Sequence, residues 1–155
     1  MNGANPANGF FFDAMSSSAR TLGLRLDRID VAVEGELDGA ISRAKGGALV
    51  VVNDPMFLAR RTHITELTLR SKVPSVFGQR EYVTAGGLMS YISSAAWHWR
   101  TAASFVDKIL KGAKPADIPI QQPTNFELAI NLKSANMLGI IIPQSLLQRA
   151  DEVIE

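Results

Sequence analysis

The residues whose types could do chemistry fall in three short loops, each leading into a run with helical spacing. The first is Asn5-Pro6-Ala7-Asn8-Gly9, a pair of turn signals before a helix. Backbone amides at such a helix start could hold a carboxylate or another anion, with Asn8 and Gly9 as the candidates. Helix capping by Asn8 explains the same residues equally well. The second loop is Asn53-Asp54-Pro55, directly after the apolar run Ala48 to Val52. A carboxylate there could receive an ammonium group, yet Asp before Pro is also a strong helix start. The two roles are compatible, because a cap can face a cleft. The third runs from Gly78 through Gln79, Arg80, Glu81 and Tyr82 to Gly86-Gly87-Leu88-Met89-Ser90-Tyr91. Its paired glycines allow close backbone approach. Ser90 and Tyr91 offer hydroxyls, and Tyr91 a flat apolar face. A tight turn beside an edge strand accounts for it equally.

Other chemistry finds no footing. The chain has no cysteine, which removes disulfides, thiol catalysis and cysteine zinc sites together. Neither spacing of a glycine-rich phosphate loop occurs, nor a Gly-x-Ser-x-Gly elbow. His63 and His98 have no evident partners, and a zinc site needs three or four ligands. Trp99 falls on the stripe of a long helix and is expected in the core, with Trp97 exposed. No nucleophile, base and orienting group come together, so no enzyme and no cofactor are expected. Lys plus Arg number 16 against 15 Asp plus Glu, without a basic stripe, which gives no reason to expect nucleic acid as a partner.

The elements that must position these loops follow from periodicity. Phe11, Met15, Ala19 and Leu22 predict a helix that Gly23 stops. Leu24 to Val33 reads as a strand and Glu34 to Lys45 as a helix. Ala48 to Val52, apolar on both faces, suits a central parallel strand. A helix follows from Asp54 to about Arg70, then a strand at 74–77, a short helix at 79–85 and a strand at 88–92. Ala95, Trp99, Ala102, Val106 and Ile109 form the stripe of a long helix that Gly112 and Pro115 end. After an extended linker over 118–125 come a strand at 126–132, a short helix at 133–138 and a last helix at 143–154. The alternation predicts an α/β domain on a mainly parallel sheet. With 155 residues and 46% apolar residues it can bury a core. The start, Met1 to Gly9, is polar and lacks the basic and apolar regions of a secretory signal. The longest apolar runs are far shorter than the roughly 20 residues of a membrane span.

Three stretches are specific enough to carry a resemblance: Gly86 to Tyr91, Val106 to Pro119, and Gln122 to Lys133. Together with Asn5 to Asn8, Asn53 to Pro55 and the closing Ile142-Pro143 to Ile154, they resemble the C-terminal half of the ABC-transporter substrate-binding family that includes tryptophan- and tyrosine-binding lipoproteins. The resemblance implies a periplasmic-binding-protein type I-like lobe, 1–117, with a strand–helix tail, 118–155, that crosses to a missing first lobe or to a partner protomer as a homodimer. It implies a small organic solute, amino acid-like or aromatic, held in a cleft between lobes, and an ABC permease as partner. It implies a periplasmic location, although the sequence shows no signal peptide. By it, Asn8 and Gly9 would present amides, Asn53 or Asp54 polar contacts, and Arg80, Glu81, Ser90 and Tyr91 would line the rim. The chain departs from the family at Ile92-Ser93-Ser94, where relatives carry glycine and Asp. The alternative is a stand-alone ligand-sensing or protein-interaction domain reusing this lobe.

Overall fold

The computed structural model describes all residues, 1–155. Five strands form one sheet in the order β1 (Leu49–Val51), β2 (Ser75–Phe77), β3 (Met89–Ser93), β4 (Phe126–Asn131) and β5 (Glu152–Ile154). β1, β2 and β3 run parallel, β4 runs antiparallel to β3, and β5 is parallel to β4. Helices fill the connections: α1 (Ala7–Thr21), α2 (Leu37–Arg43), α3 (Pro55–Ala59), α4 (Arg61–Arg70), α5 (Arg80–Thr84), α6 (Ala95–Leu110), α7 (Leu132–Leu138) and α8 (Gln144–Leu147). The α/β reading on a mainly parallel sheet holds.

Alternation divides the sheet into two unlike faces. Val51 and Phe77 point to the face covered by α2, α3 and α4, where they join Leu37, Ile41, Phe57 and Ile64 in the buried core. Val50, Val76 and Met89 lie in one row on the other face, followed along β3 by Tyr91. That face is thinly covered, with Val50 and Tyr91 about half exposed.

Local chemistry explains most elements. Asp54 caps α3, its side chain accepting from Met56 N–H, with Pro55 in the first turn. The helix expected to run from there to Arg70 breaks at Arg60 into α3 and α4. Gly139, at φ 74°, ends α7 in the left-handed conformation that glycine adopts without strain. Gly87 makes the closest approach: a Cβ there would stand 2.7 Å from the Phe77 ring and 2.9 Å from the Tyr82 carbonyl oxygen.

Several expectations are corrected. Residues 24–33 form no strand; Val31 makes one parallel bridge to Asn2 and nothing more. The segment lacks a neighbour on its other side, and a strand is defined by its partners. The end is not a helix through Ile154: α8 stops at Leu147, and Glu152–Ile154 pairs with β4, where β-branched Val153 and Ile154 fit the pleat. Asp151 secures that turn, its carboxylate accepting from Leu128 N–H at 2.8 Å. In this structure the tail residues 126–131 and 152–154 complete the same sheet as β1–β3, with Ile130 fully buried. Trp99 is 77% exposed and Trp97 half-buried, the reverse of the expected order, because no residue of α6 is buried.

Candidate functional site

The carboxyl ends of β1 and β2 and the start of α1 meet around one carboxylate. Asp54 is buried, 1% exposed, at the end of β1. Its two oxygens accept from Asn2 Nδ2 at 3.1 and 3.2 Å, Asn5 Nδ2 at 2.9 Å and Met56 N–H at 3.0 Å. Burial pushes its pKa upward, but hydrogen bonds from Asn5, Asn2, Met56 and Asn8 outweigh that and hold it below the usual carboxylate range. The carboxylate is therefore ionised and already supplied with donors. It fastens the loop before α1 to the end of β1.

Asn8 belongs to the same knot. It is fully buried within α1, and its Nδ2 donates to the Asn2 carbonyl oxygen at 2.9 Å. It does not cap the helix; in the turn before α1, Asn5 Oδ1 accepts from Ala7 N–H at 3.1 Å. Asn8 Oδ1, Gln79 Oε1 and the Tyr82 hydroxyl are buried without a hydrogen-bond partner. Burial, and then the charge of Asp54, pushes the Tyr82 phenol well above its ordinary pKa. Tyr82 is stacked on Phe77 with ring centroids 4.6 Å apart. It is a neutral donor at any ordinary pH.

Around this knot the rim is open. Asn53 is exposed. Gly9 faces free space, since a Cβ there would meet nothing within 4 Å. Gly78 brings β2 close to β1; a Cβ on it would lie 3.3 Å from the Asn53 nitrogen. From the rim a groove of about 280 Å³ runs between α1 and the thinly covered sheet face, walled by Phe11, Met15, Val50, Val76 and Tyr91.

Of the other expected residues, Tyr91 lines that groove, and Ser90, Arg80 and Glu81 do not. Ser90 and Tyr91 do not act together, because neighbours in a strand point to opposite faces. Ser90 is buried beside Phe77, while Tyr91 is exposed and stacked on Phe126 at 5.3 Å between ring centroids. Arg80 is occupied by Glu152, with Nη2 donating to Oε1 at 2.6 Å and Nε to Oε2. The pair holds the Glu152 pKa down and the Arg80 pKa up. Glu81 is exposed on α5.

The histidines do have partners. His63 Nε2 meets Asp38 at 3.1 Å, and His98 Nε2 meets Ser93 Oγ at 2.7 Å. No third group orients His98, so the pair lacks the acid of a hydrolytic triad. No three His, Asp or Glu side chains gather to share a metal ion.

Residues 12–154 match the family described as ABC transporter substrate binding protein. The chain belongs to that family. Among solved structures it is similar to a conserved domain protein from Vibrio cholerae O1 biovar El Tor, with a TM-score of 0.84, 21% identity and 98% of this chain covered. It is similar to the ABC domain from Streptococcus pneumonia in complex with L-Trp, with a TM-score of 0.83, 25% identity and 99% covered. It also resembles a substrate binding protein with adhesive properties from Clostridium difficile, in its ligand-free open form, with a TM-score of 0.77, 18% identity and 99% covered. At 21% and 18% identity the first and third likenesses speak for the fold alone. The chain spans 52%, 54% and 52% of the lengths of these three, about half of each. No curated protein compared with the chain matches it.

In this family member, sequence reasoning missed Asn2, Glu152 and Phe126. Each acts through a partner more than 30 residues away, namely Asp54, Arg80 and Tyr91. The one local signal was for Asn2, which lies in the same Asn-rich turn as Asn5 and Asn8.

Proposed function

We propose that the chain is a lobe of a solute-binding protein serving an ABC importer, and that it takes a small amino acid-like molecule at the rim formed by Asn53, Gly78 and the first turn of α1. The observation that carries this is the knot at Asp54, which holds the loops after β1 and before α1 in one place and leaves Asn53 and Gly9 open beside them. Ligands of open α/β sheets gather at such carboxyl ends. Membership of the substrate-binding family supports the reading, and so does the L-Trp complex of the Streptococcus pneumonia relative. The role is binding without turnover. Asp54 is a positioning residue here, since its acceptor sites are filled from within the chain.

In the whole protein a second lobe would close over this rim, of the periplasmic-binding-protein type I kind, and an ABC permease would receive the solute outside the cytoplasm. One lobe alone buries too little of a ligand to hold it tightly. Binding by this chain is therefore weak, with a Kd on the order of 1 mM, about 4 kcal/mol. Backbone-amide NMR titration with L-tryptophan, L-leucine and L-glutamate tests it. Saturable shifts at Gly9, Asn53 and Gly78 are expected for at least one of them. Shifts spread over the surface, or none up to the solubility limit, would sink the reading.

A further inference from the structure

The far end of the sheet holds a second, unlike cavity. Ser90 on β3 stands opposite Ala129 on β4, which stands opposite Glu152 on β5, and Ile92 faces Glu127 one step along. Residues two apart in a strand share a face, so this group points away from the side of Tyr91. There it walls a cavity of about 230 Å³ that Arg80 and Asp151 complete. Water in the liquid takes about 30 Å³ a molecule, so the space admits a ligand of several heavy atoms.

The charges around this cavity do not balance. One guanidinium stands among three carboxylates, and it is already bound to Glu152. Glu152 does most to raise the Arg80 pKa, and Glu127 adds to the rise without bonding to it. The Glu127 carboxylate has no partner in the chain. Asp151 gives Oδ2 to Leu128 N–H and keeps Oδ1 free. An independent sign of a ligand is Ser90. It is 1% exposed, yet its hydroxyl bonds to nothing in the chain and opens on the cavity. A buried hydroxyl left without a partner is costly, and a ligand at this place would supply one. No three of the acidic groups are placed to hold a metal ion. Acceptors spread in this way suit an organic cation, because an ammonium carries three N–H donors and a guanidinium more.

We propose that the cavity binds a small organic cation of the alkylammonium or alkylguanidinium class, with Ser90 Oγ, Glu127 and Asp151 Oδ1 accepting from its N–H groups. Ile92 and Leu128 give its carbon stem an apolar wall. A cation there links β3, β4 and the turn into β5. The site is separate from the solute rim, since neither Asn53 nor Gly78 nor any residue of α1 lines it. Its failure would leave the solute reading untouched.

Backbone-amide NMR and thermal unfolding of the chain test it with four chlorides at equal ionic strength: n-butylammonium, methylguanidinium, tetramethylammonium and magnesium. Saturable shifts at Ser90, Glu127 and Leu128 are expected from the first two, with a Kd on the order of 10 mM for ligands of so few atoms. Tetramethylammonium has the charge without an N–H donor, and neither it nor magnesium should produce them. Ser90→Ala should weaken binding about fivefold without lowering the Tm, because it removes a hydroxyl that is unpaired in the free chain. Glu127→Gln, on the exposed side, should weaken it about threefold. Equal shifts from tetramethylammonium or magnesium would show that charge alone draws the ion and would overturn the proposal. So would the absence of shifts with all four salts, unchanged affinity in both variants, or a lowered Tm in Ser90→Ala, which would mean that the hydroxyl already serves the fold.

Discussion

At the scale of single residues, Asp54 joins two parts of the chain through charge-assisted hydrogen bonds. Its folded pKa lies below the ordinary value, about 3.9 for an unfolded chain. A carboxyl depressed in this way stabilises the fold above the unfolded pKa, and that contribution is lost as pH falls through the folded value. Asp54→Asn turns an amide against the Asn2 and Asn5 donors. At pH 7 it should cost about 1–3 kcal/mol in urea unfolding, and the gap to the parent should narrow as pH falls below the ordinary carboxylate range, where the parent also loses its charge. A gap that stays constant across that range would mean that the charge is not what matters. Gly87 is a second such position. Gly87→Ala pushes a methyl into Phe77 and the Tyr82 carbonyl, and about 1–3 kcal/mol of lost stability is expected from the same urea measurement.

The helices of the fold differ in what they hold. α4 buries Ile64 in the core, so Ile64→Ala should lower stability by about 2–5 kcal/mol. α6 is longer and more amphipathic, yet none of its residues is buried. Trp99→Ala should then change stability by no more than about 0.5 kcal/mol in the chain as it stands. Calorimetry of the two variants separates the cases. A large loss from Trp99→Ala would show that α6 packs where the structure leaves it open. Periodicity marked the stripe of α6 and placed Trp99 in the core, where the structure leaves it exposed. A stripe shows that a helix has an apolar face; it does not show what covers that face.

For the molecule as a whole, the tail is the decisive part. β4 supplies Leu128, Ala129, Ile130 and Asn131, all buried, and Asn131 Nδ2 donates to the Val83 carbonyl oxygen at 3.3 Å. Ser134 on α7 donates to the Gly86 carbonyl oxygen at 2.7 Å. A chain ending at residue 117 should therefore lose its cooperative thermal transition, as followed by near-UV circular dichroism. A sharp transition in that shortened chain would mean that 1–117 is a folding unit by itself.

The sequence by itself determined the class of the fold and the position of most elements. Apolar runs, helix stops and the Asp-Pro start are local signals that act over a few residues, so they survive without tertiary context. It also pointed to Asp54, whose capping role needs only Met56 N–H two residues on. Only the tertiary structure decided what that carboxylate faces, because Asn2 and Asn5 reach it across about 50 positions of sequence. The same is true of residues 24–33 and 152–154. Each has strand-like composition in part, but a strand exists only where a partner offers its ladder. β4 offers one to Glu152–Ile154, while Val31 finds only the single bridge to Asn2.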